Sequence, residues 1–323
     1  MDLQENVYQK DKLEQKPTRD GYGDGLVILG EQNENVYVLC ADLTNSTRSN
    51  WFQEKFPERF IEVGIAEQNM MCLAVGLALE GKIPFISTYS VFSPGLNWCQ
   101  LRVSGAYNKA NVKVTGAHAG VSVGPDGATH QGLEDIATVR CIPEMIVLAP
   151  ADYEETKKAT IASAEINAPV YLRFAREATP IFTTEKTPFE IGKANVLREG
   201  NDVSIMACGP TVHEALLAAS ELEDEGISVE VVNNHTIKPM DEATIINSAK
   251  KTQAVVTAED HQVMGGMGSA VCEVLAKNNP VPIEMVGVQD RFGESGQPEE
   301  LMEEFHLNSP DIKEAVKKVI KRK

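Results

Sequence analysis

Short apolar runs recur along the chain at spacings that alternate strand with helix. Val36-Tyr37-Val38-Leu39-Cys40, Phe60 to Val63, Ile83 to Ser87, Val112 to Thr115, Met145 to Leu148 and Val170 to Leu172 each read as a strand, and a helix over Asp20 to Leu29 precedes the first. Helical stretches separate these strands, which predicts a parallel sheet covered on both faces, with functional loops at the strands' carboxyl ends. The longest apolar run, Met70 to Leu79, follows a strand and Gly64 and predicts a helix apolar on all faces, buried in a core or an interface. Residues 178–188 carry two prolines and little periodicity, and read as a linker. A smaller α/β unit follows, with strands at Val203 to Ala207, Ile227 to Val232, Ala254 to Ala258 and Ile283 to Val286. Its first helix opens on Thr211-Val212-His213-Glu214, read as a capping box, lines Val212, Ala215, Leu216, Ala219 and Leu222 along one face, and ends at Gly226. The expected organisation is a flexible arm over 1–15, a first domain over 16–178, a linker over 179–190 and a second domain over 191–323.

Composition narrows the function classes. With 323 residues, 42% of them hydrophobic, the chain can bury two ordinary cores. A formal charge of −17 disfavours nucleic acid and anionic membranes, because binding either needs a basic face. No apolar run is long enough to span a bilayer, and Met1-Asp2-Leu3-Gln4-Glu5-Asn6 lacks the basic and apolar parts of a signal peptide, so a soluble cytoplasmic protein is expected. The six cysteines are scattered without a CxxC pair and read as reduced core residues, with no metal site.

Candidate chemistry lies in the loops. Glu67 opens the apolar helix, where it is either a solvated carboxylate favoured by the helix dipole or a buried one tuned for proton transfer. Ser87-Thr88-Tyr89-Ser90-Val91-Phe92 follows a strand and carries two aromatics, for core packing or for stacking on a flat heteroaromatic ligand. Gly116-Ala117-His118-Ala119-Gly120 and Gly124-Pro125-Asp126-Gly127-Ala128-Thr129-His130-Gln131 place two histidines and an aspartate in glycine-rich loops, the pattern of a polar substrate cleft. Gly265-Gly266-Met267-Gly268 opens a helix whose free N–H groups could hold an anion, although tight packing explains it equally well.

Glu62-Val63-Gly64-Ile65-Ala66-Glu67-Gln68-Asn69, Ser87 to Phe92, Asp126 to Gln131 and Arg140-Cys141-Ile142-Pro143-Glu144-Met145 together resemble the pyrimidine-binding domain of transketolases. Glu259-Asp260-His261 with Gly265 to Gly268 resemble the transketolase C-terminal domain. The resemblance covers nearly the whole chain from about Lys16. It implies an α/β fold in which a parallel-sheet pyrimidine-binding domain precedes a smaller parallel-sheet domain. The diphosphate-binding domain that precedes these two in a full-length transketolase has no counterpart here. Gly23-Asp24-Gly25, with Asn50 downstream, resembles its metal motif but precedes a helix, whereas that motif's aspartate must end a strand; it reads as helix-start glycines. The resemblance thus implies the C-terminal subunit of a split transketolase. A separate N-terminal diphosphate-binding subunit would hold Mg²⁺ or Ca²⁺, thiamine diphosphate would be shared between the chains, and an α2β2 heterotetramer would contain a dimer of this chain.

By position, the resemblance makes Glu67 the partner of the pyrimidine N1′, Phe92 with Tyr89 the stacking aromatics, and Asp42 a residue near the cofactor. His130 and Asp126 would contact sugar hydroxyls, and Arg19, Ser46, His118 and Arg176 the phosphate of a sugar phosphate, a group that guanidinium forks suit. The chain departs from the pattern at Leu96-Asn97-Trp98-Cys99-Gln100, where many split transketolases carry Arg-Ala-Tyr-Asp-Gln. Either the partner compensates or the substrate is not an ordinary pentose phosphate, as in transketolases of sulfo-sugar, branched-sugar or secondary metabolism. A 2-oxo acid dehydrogenase β subunit, the C-terminal half of a deoxyxylulose-phosphate synthase and a non-catalytic α/β assembly protein are the alternatives.

Overall fold

The computed structural model describes residues 2–323. The first domain is a seven-stranded sheet in the spatial order Thr236–Lys238, Ile146–Leu148, Val170–Arg173, Lys113–Gly116, Ile83–Ser87, Val36–Cys40 and Phe60–Glu62. All its pairings are parallel except that of Thr236–Lys238, which runs antiparallel to Ile146–Leu148. Every residue of Lys113–Gly116 and Val170–Arg173 is buried, as expected of central strands covered by helices on both faces. Helix Thr18–Gln32 lies against helix Tyr153–Glu165 at a distance only glycine permits. A Cβ on Gly21 would sit 2.2 Å from the Tyr153 carbonyl oxygen, and one on Gly25 2.8 Å from Thr160 Cβ. Asp24 accepts the Tyr153 hydroxyl at 2.5 Å, so the glycine cluster is a packing device inside the helix.

The second sheet has five strands in the order Ile283–Val288, Val255–Gln262, Val203–Ala207, Val229–Asn233 and Asn195–Arg198. The last, absent from the sequence reading, is an antiparallel edge. The two domains are joined by more than the chain crossing, because Thr236–Lys238 belongs in sequence to the second and in space to the first.

Several expectations are corrected. The arm over 1–15 is docked: Val7 and Leu13 are buried in the second domain's core cluster, Gln4 N–H donates to the Phe182 carbonyl at 2.9 Å, and the Val7 carbonyl meets His213 Nε2 at 2.8 Å. A few widely spaced apolar residues suffice to anchor a segment that is polar on average. The capping box does not form, since Pro210 precedes the helix Thr211–Asp224 and the Thr211 hydroxyl turns to the Cys208 and Ala258 carbonyls, 2.9 Å from each. Glu214 instead accepts Ser309 N–H at 3.0 Å. Of the six free cysteines only Cys40 and Cys208 are buried, whereas Cys72, Cys99 and Cys141 are exposed. Helix Glu67–Leu79 is buried on one face only, through Glu67, Met70, Met71, Ala74 and Val75, while Leu73 and Leu79 are exposed. Among the described residues no helix is long and apolar enough to cross a membrane.

Candidate active site

Because neighbouring strands of the first sheet run parallel, the loops after Cys40, Glu62, Ser87, Gly116 and Arg173 leave from one edge of the sheet. Every candidate residue lies on or beside one of these loops except Arg19, in the first turn of Thr18–Gln32, and the pair Asp126 and His130. Glu67 is 4% exposed at the start of its helix. One of its carboxylate oxygens accepts the Thr88 hydroxyl at 3.1 Å, and among the described residues the other accepts no hydrogen bond. Asn97, fully buried, ties this corner together by donating to Ser93 Oγ at 3.1 Å and to the Glu67 carbonyl at 3.5 Å. Where the chain departs from the family's run, Asn97 is thus a neutral polar brace on the Glu67 backbone.

An aromatic cluster stands on the same loops. The Tyr89 ring stacks on His118 with centroids 3.9 Å apart and lies near-parallel to Phe92 at 5.9 Å, while His130 meets Phe92 edge-on at 5.7 Å. Tyr89 is buried and Phe92 half-buried, so Phe92 is the more open of the two rings expected to stack. His118 adopts a left-handed backbone at φ 55°. Burial first, and then the Arg19, Arg176 and Arg48 guanidiniums, push its imidazolium pKa down to about 2, so the ring is neutral. Its Nδ1 is buried and has no hydrogen-bond partner among the described residues. His130 shares a hydrogen with Thr129 Oγ1 through Nδ1 at 2.9 Å.

The structure brings the cationic candidates to this cluster in pairs with their own neighbours. Arg19 donates to the Ser46 backbone carbonyl at 3.1 Å, and its buried Nε has no partner among the described residues. Burial, then repulsion from Arg48, lower its pKa. Arg176 donates to Asp126 and to the Val123 carbonyl, both at 3.2 Å, and pairs with Glu177 at 3.3 Å. Two residues expected to meet substrate thus meet each other. Asp42 is exposed at φ 60°, and its N–H donates to Glu62 at 2.8 Å.

Three residues escaped the sequence reading. Glu62 gathers Asp42 N–H, the Thr44 hydroxyl and Gly64 N–H at 2.8, 2.9 and 2.9 Å, which fixes two strand-end loops to each other. Thr88 supplies the hydroxyl to Glu67. Arg48 pairs with Asp20 at 2.6 Å and donates to the Asn45 carbonyl at 3.2 Å, beside the loop that Arg19 holds. The available signal for Arg48 was its place two residues after Ser46. A buried carboxylate with one uncommitted oxygen, a half-open aromatic ring, a neutral imidazole and several guanidiniums are a donor set suited to a flat basic heterocycle and a separate anion.

Residues 14–181 match the family described as transketolase, pyrimidine binding domain, and residues 192–312 match the transketolase C-terminal domain. A Methanocaldococcus jannaschii protein, provisionally named a transketolase C-terminal section, is 45% identical over 95% of this chain and 97% of its own length. The 6-deoxy-6-sulfo-D-fructose transketolase subunit SqwH of Clostridium sp. (strain MSTE9) is 42% identical over 97% of each chain. A solved split gene transketolase, described as an inactive β4 tetramer, superposes with a TM-score of 0.89 at 46% identity, over 94% of this chain and 98% of that one. With the site at the strand ends of a domain of this kind, the chain belongs to the transketolase family and corresponds to its pyrimidine-binding and C-terminal domains.

Proposed function

We propose that this chain, together with a separate diphosphate-binding subunit, moves a two-carbon ketol unit from a ketose phosphate to an aldose. The observation that carries the reading is the Glu67 carboxylate, 4% exposed, with one oxygen on Thr88 and the other accepting no hydrogen bond among the described residues, in a loop cluster that also carries the half-open Phe92 ring. Thiamine diphosphate, when bound, supplies the nucleophilic carbon of the reaction. Glu67 would hold a proton at the pyrimidine N1′, and Phe92, with Tyr89, would stack on the ring. His130 and Asp126 bind hydroxyls around the reacting carbon, and Arg19, Ser46, His118 and Arg176 take the terminal anion, with Asp42 at the cofactor's edge. Mg²⁺ or Ca²⁺ belongs to the partner.

The separate partner is supported by relatives of the same length, one provisionally named a C-terminal section and one named a subunit. The name of the second, a sulfo-sugar transketolase subunit, favours testing a sulfonate alongside a phosphate. An α2β2 assembly is supported by exposed apolar side chains on and next to helix Glu67–Leu79, at Ile65 (81% exposed), Leu73 and Leu79 (69%), and on the Leu101–Tyr107 segment that packs against it, at Tyr107 (83%). We place the assembly in the cytoplasm.

The test mixes the purified chain with the diphosphate-binding transketolase chain encoded in the same genome, thiamine diphosphate and Mg²⁺. Ketol transfer is expected only from the mixture, in a species whose mass fits two copies of each chain. Turnover by this chain alone, or a 1:1 species at high concentration, overturns the assembly reading. A stable mixture inactive on phosphorylated and sulfonated ketoses overturns the activity.

A further inference from the structure

The loop that carries Asp126 and His130 is shaped mainly by the second domain, which contributes none of the candidate site residues. Gly120, Gly124 and Gly127 have φ of 89°, 85° and 74°, and each faces that domain. A Cβ would lie 2.0 Å from Asp260 Oδ2 at the first, 3.0 Å from Pro298 Cγ at the second and 2.4 Å from Ser295 Oγ at the third. Left-handed backbone and so close an approach both require glycine. The Asp260 carboxylate, 1% exposed, accepts Val121 N–H at 2.8 Å, Ser122 N–H at 3.3 Å and the Ser122 hydroxyl at 2.7 Å. Gln131 closes the other end, donating to the Val121 carbonyl at 3.1 Å and across the domain boundary to the Glu294 carbonyl at 2.9 Å. First-domain contacts hold the loop's ends, through Ala119 N–H on Phe174 and Gly120 N–H on Gly132, and its middle through Arg176.

We propose that Asp260 is a positioning residue for the sugar-binding side of the site, its carboxylate together with segment 293–298 setting where Asp126 and His130 stand. The physical reason is the choice of acceptor. A loop with three left-handed glycines has little conformational preference of its own, so the donors at Val121 and Ser122 fix it only if something holds both together. A buried carboxylate with two oxygens on three donors does so, and Arg173, which donates to the Asp260 carbonyl at 2.7 Å, holds Asp260 itself in place. The term "sugar-binding" rests on the function proposed above, whereas the claim about the loop does not.

The experiment has two arms, each applied to Asp260→Asn and to the milder Ser122→Ala. In the first, amide hydrogen exchange of the full chain is followed by peptide. Residues 120–131 are expected to exchange about fivefold faster or more, as loss of one hydrogen bond implies, with Val36–Cys40 and Val203–Ala207 unchanged. In the second, the two-chain assembly is assayed. The KM for the ketose phosphate is expected to rise about tenfold with the cofactor dissociation constant unchanged, and less for Ser122→Ala. The proposal is overturned by loop exchange that stays at the unaltered rate in a folded variant, by exchange that rises equally throughout, or by faster loop exchange without a change in KM. If Asp260→Asn does not fold, Ser122→Ala decides. An unaltered assembly that turns over no sugar refutes the functional reading, and the exchange arm still decides whether Asp260 holds the loop.

Discussion

Arg176→Ala separates an anion site from a structural cation. In the free chain Arg176 is paired with Asp126 at 3.2 Å, and the two side chains are 29% and 32% exposed. An ion pair of that exposure contributes about 0.2–1 kcal/mol. A charge-assisted hydrogen bond to a phosphate or sulfonate is worth about 1.5–3 kcal/mol, so trading Asp126 for the ligand gains about 0.5–2.8 kcal/mol. Removing the guanidinium should therefore raise KM for an anionic sugar by roughly 2–100-fold, at about tenfold per 1.4 kcal/mol. For the same sugar without its anion, KM should move less than about threefold, because Asp126 loses only a weak partner. Steady-state KM and kcat of the assembly, measured on the phosphorylated, sulfonated and uncharged forms of one skeleton, check this. Equal factors for charged and uncharged sugars, or an effect confined to kcat, refute the assignment. Arg19→Ala is the less discriminating companion, because Arg19 also holds the Ser46 carbonyl and its loss frees a loop.

Two further outcomes are expected. Glu67→Gln keeps the Thr88 hydrogen bond through its amide oxygen but cannot cycle a proton at the pyrimidine, so kcat should fall by roughly 10²–10⁴ with the thermal midpoint nearly unchanged; near-normal turnover at saturating cofactor refutes the role. His118, with its pKa pushed down to about 2 by burial and the surrounding guanidiniums, should show no ring titration by NMR between about pH 5 and 8 in the free chain. The unfolded chain takes up that proton near the ordinary pH of about 6.5 and the folded chain does not, so the stability His118 confers is present above that pH and drains away as the pH falls towards the folded value. A midpoint near the ordinary histidine value in the folded chain refutes the account.

Much of the fold was legible because strand and helix periodicity are local. Val36–Cys40 and Ile83–Ser87 lie where the apolar runs placed them, and Lys113–Gly116 is displaced by one residue. The motifs around Glu67 and Phe92 were legible for the same reason, since each is a contiguous stretch beside a strand end, and that around His130 is a contiguous glycine-rich loop. What stayed hidden is pairing between distant groups. Thr236–Lys238 is too short to announce a sheet on its own and gains its ladder from Ile146–Leu148. The N–H groups at Met267 and Gly268, open to an anion in sequence terms, are taken by the buried Glu259 carboxylate at 2.7 and 2.8 Å. Periodicity follows from the backbone's repeat and from the apolar area each face must bury, both properties of neighbouring residues. Which carboxylate meets which donor is decided only when packing brings separated segments within hydrogen-bond distance and excludes the water that would otherwise serve each of them. The chain's sequence determined the parallel strands of its sheets and the residues that could do chemistry, and the tertiary structure decided that two short strands join them as antiparallel edges, that Arg176 faces Asp126, that Asp260 grips the loop beside them, and that the first fifteen residues lie docked instead of free.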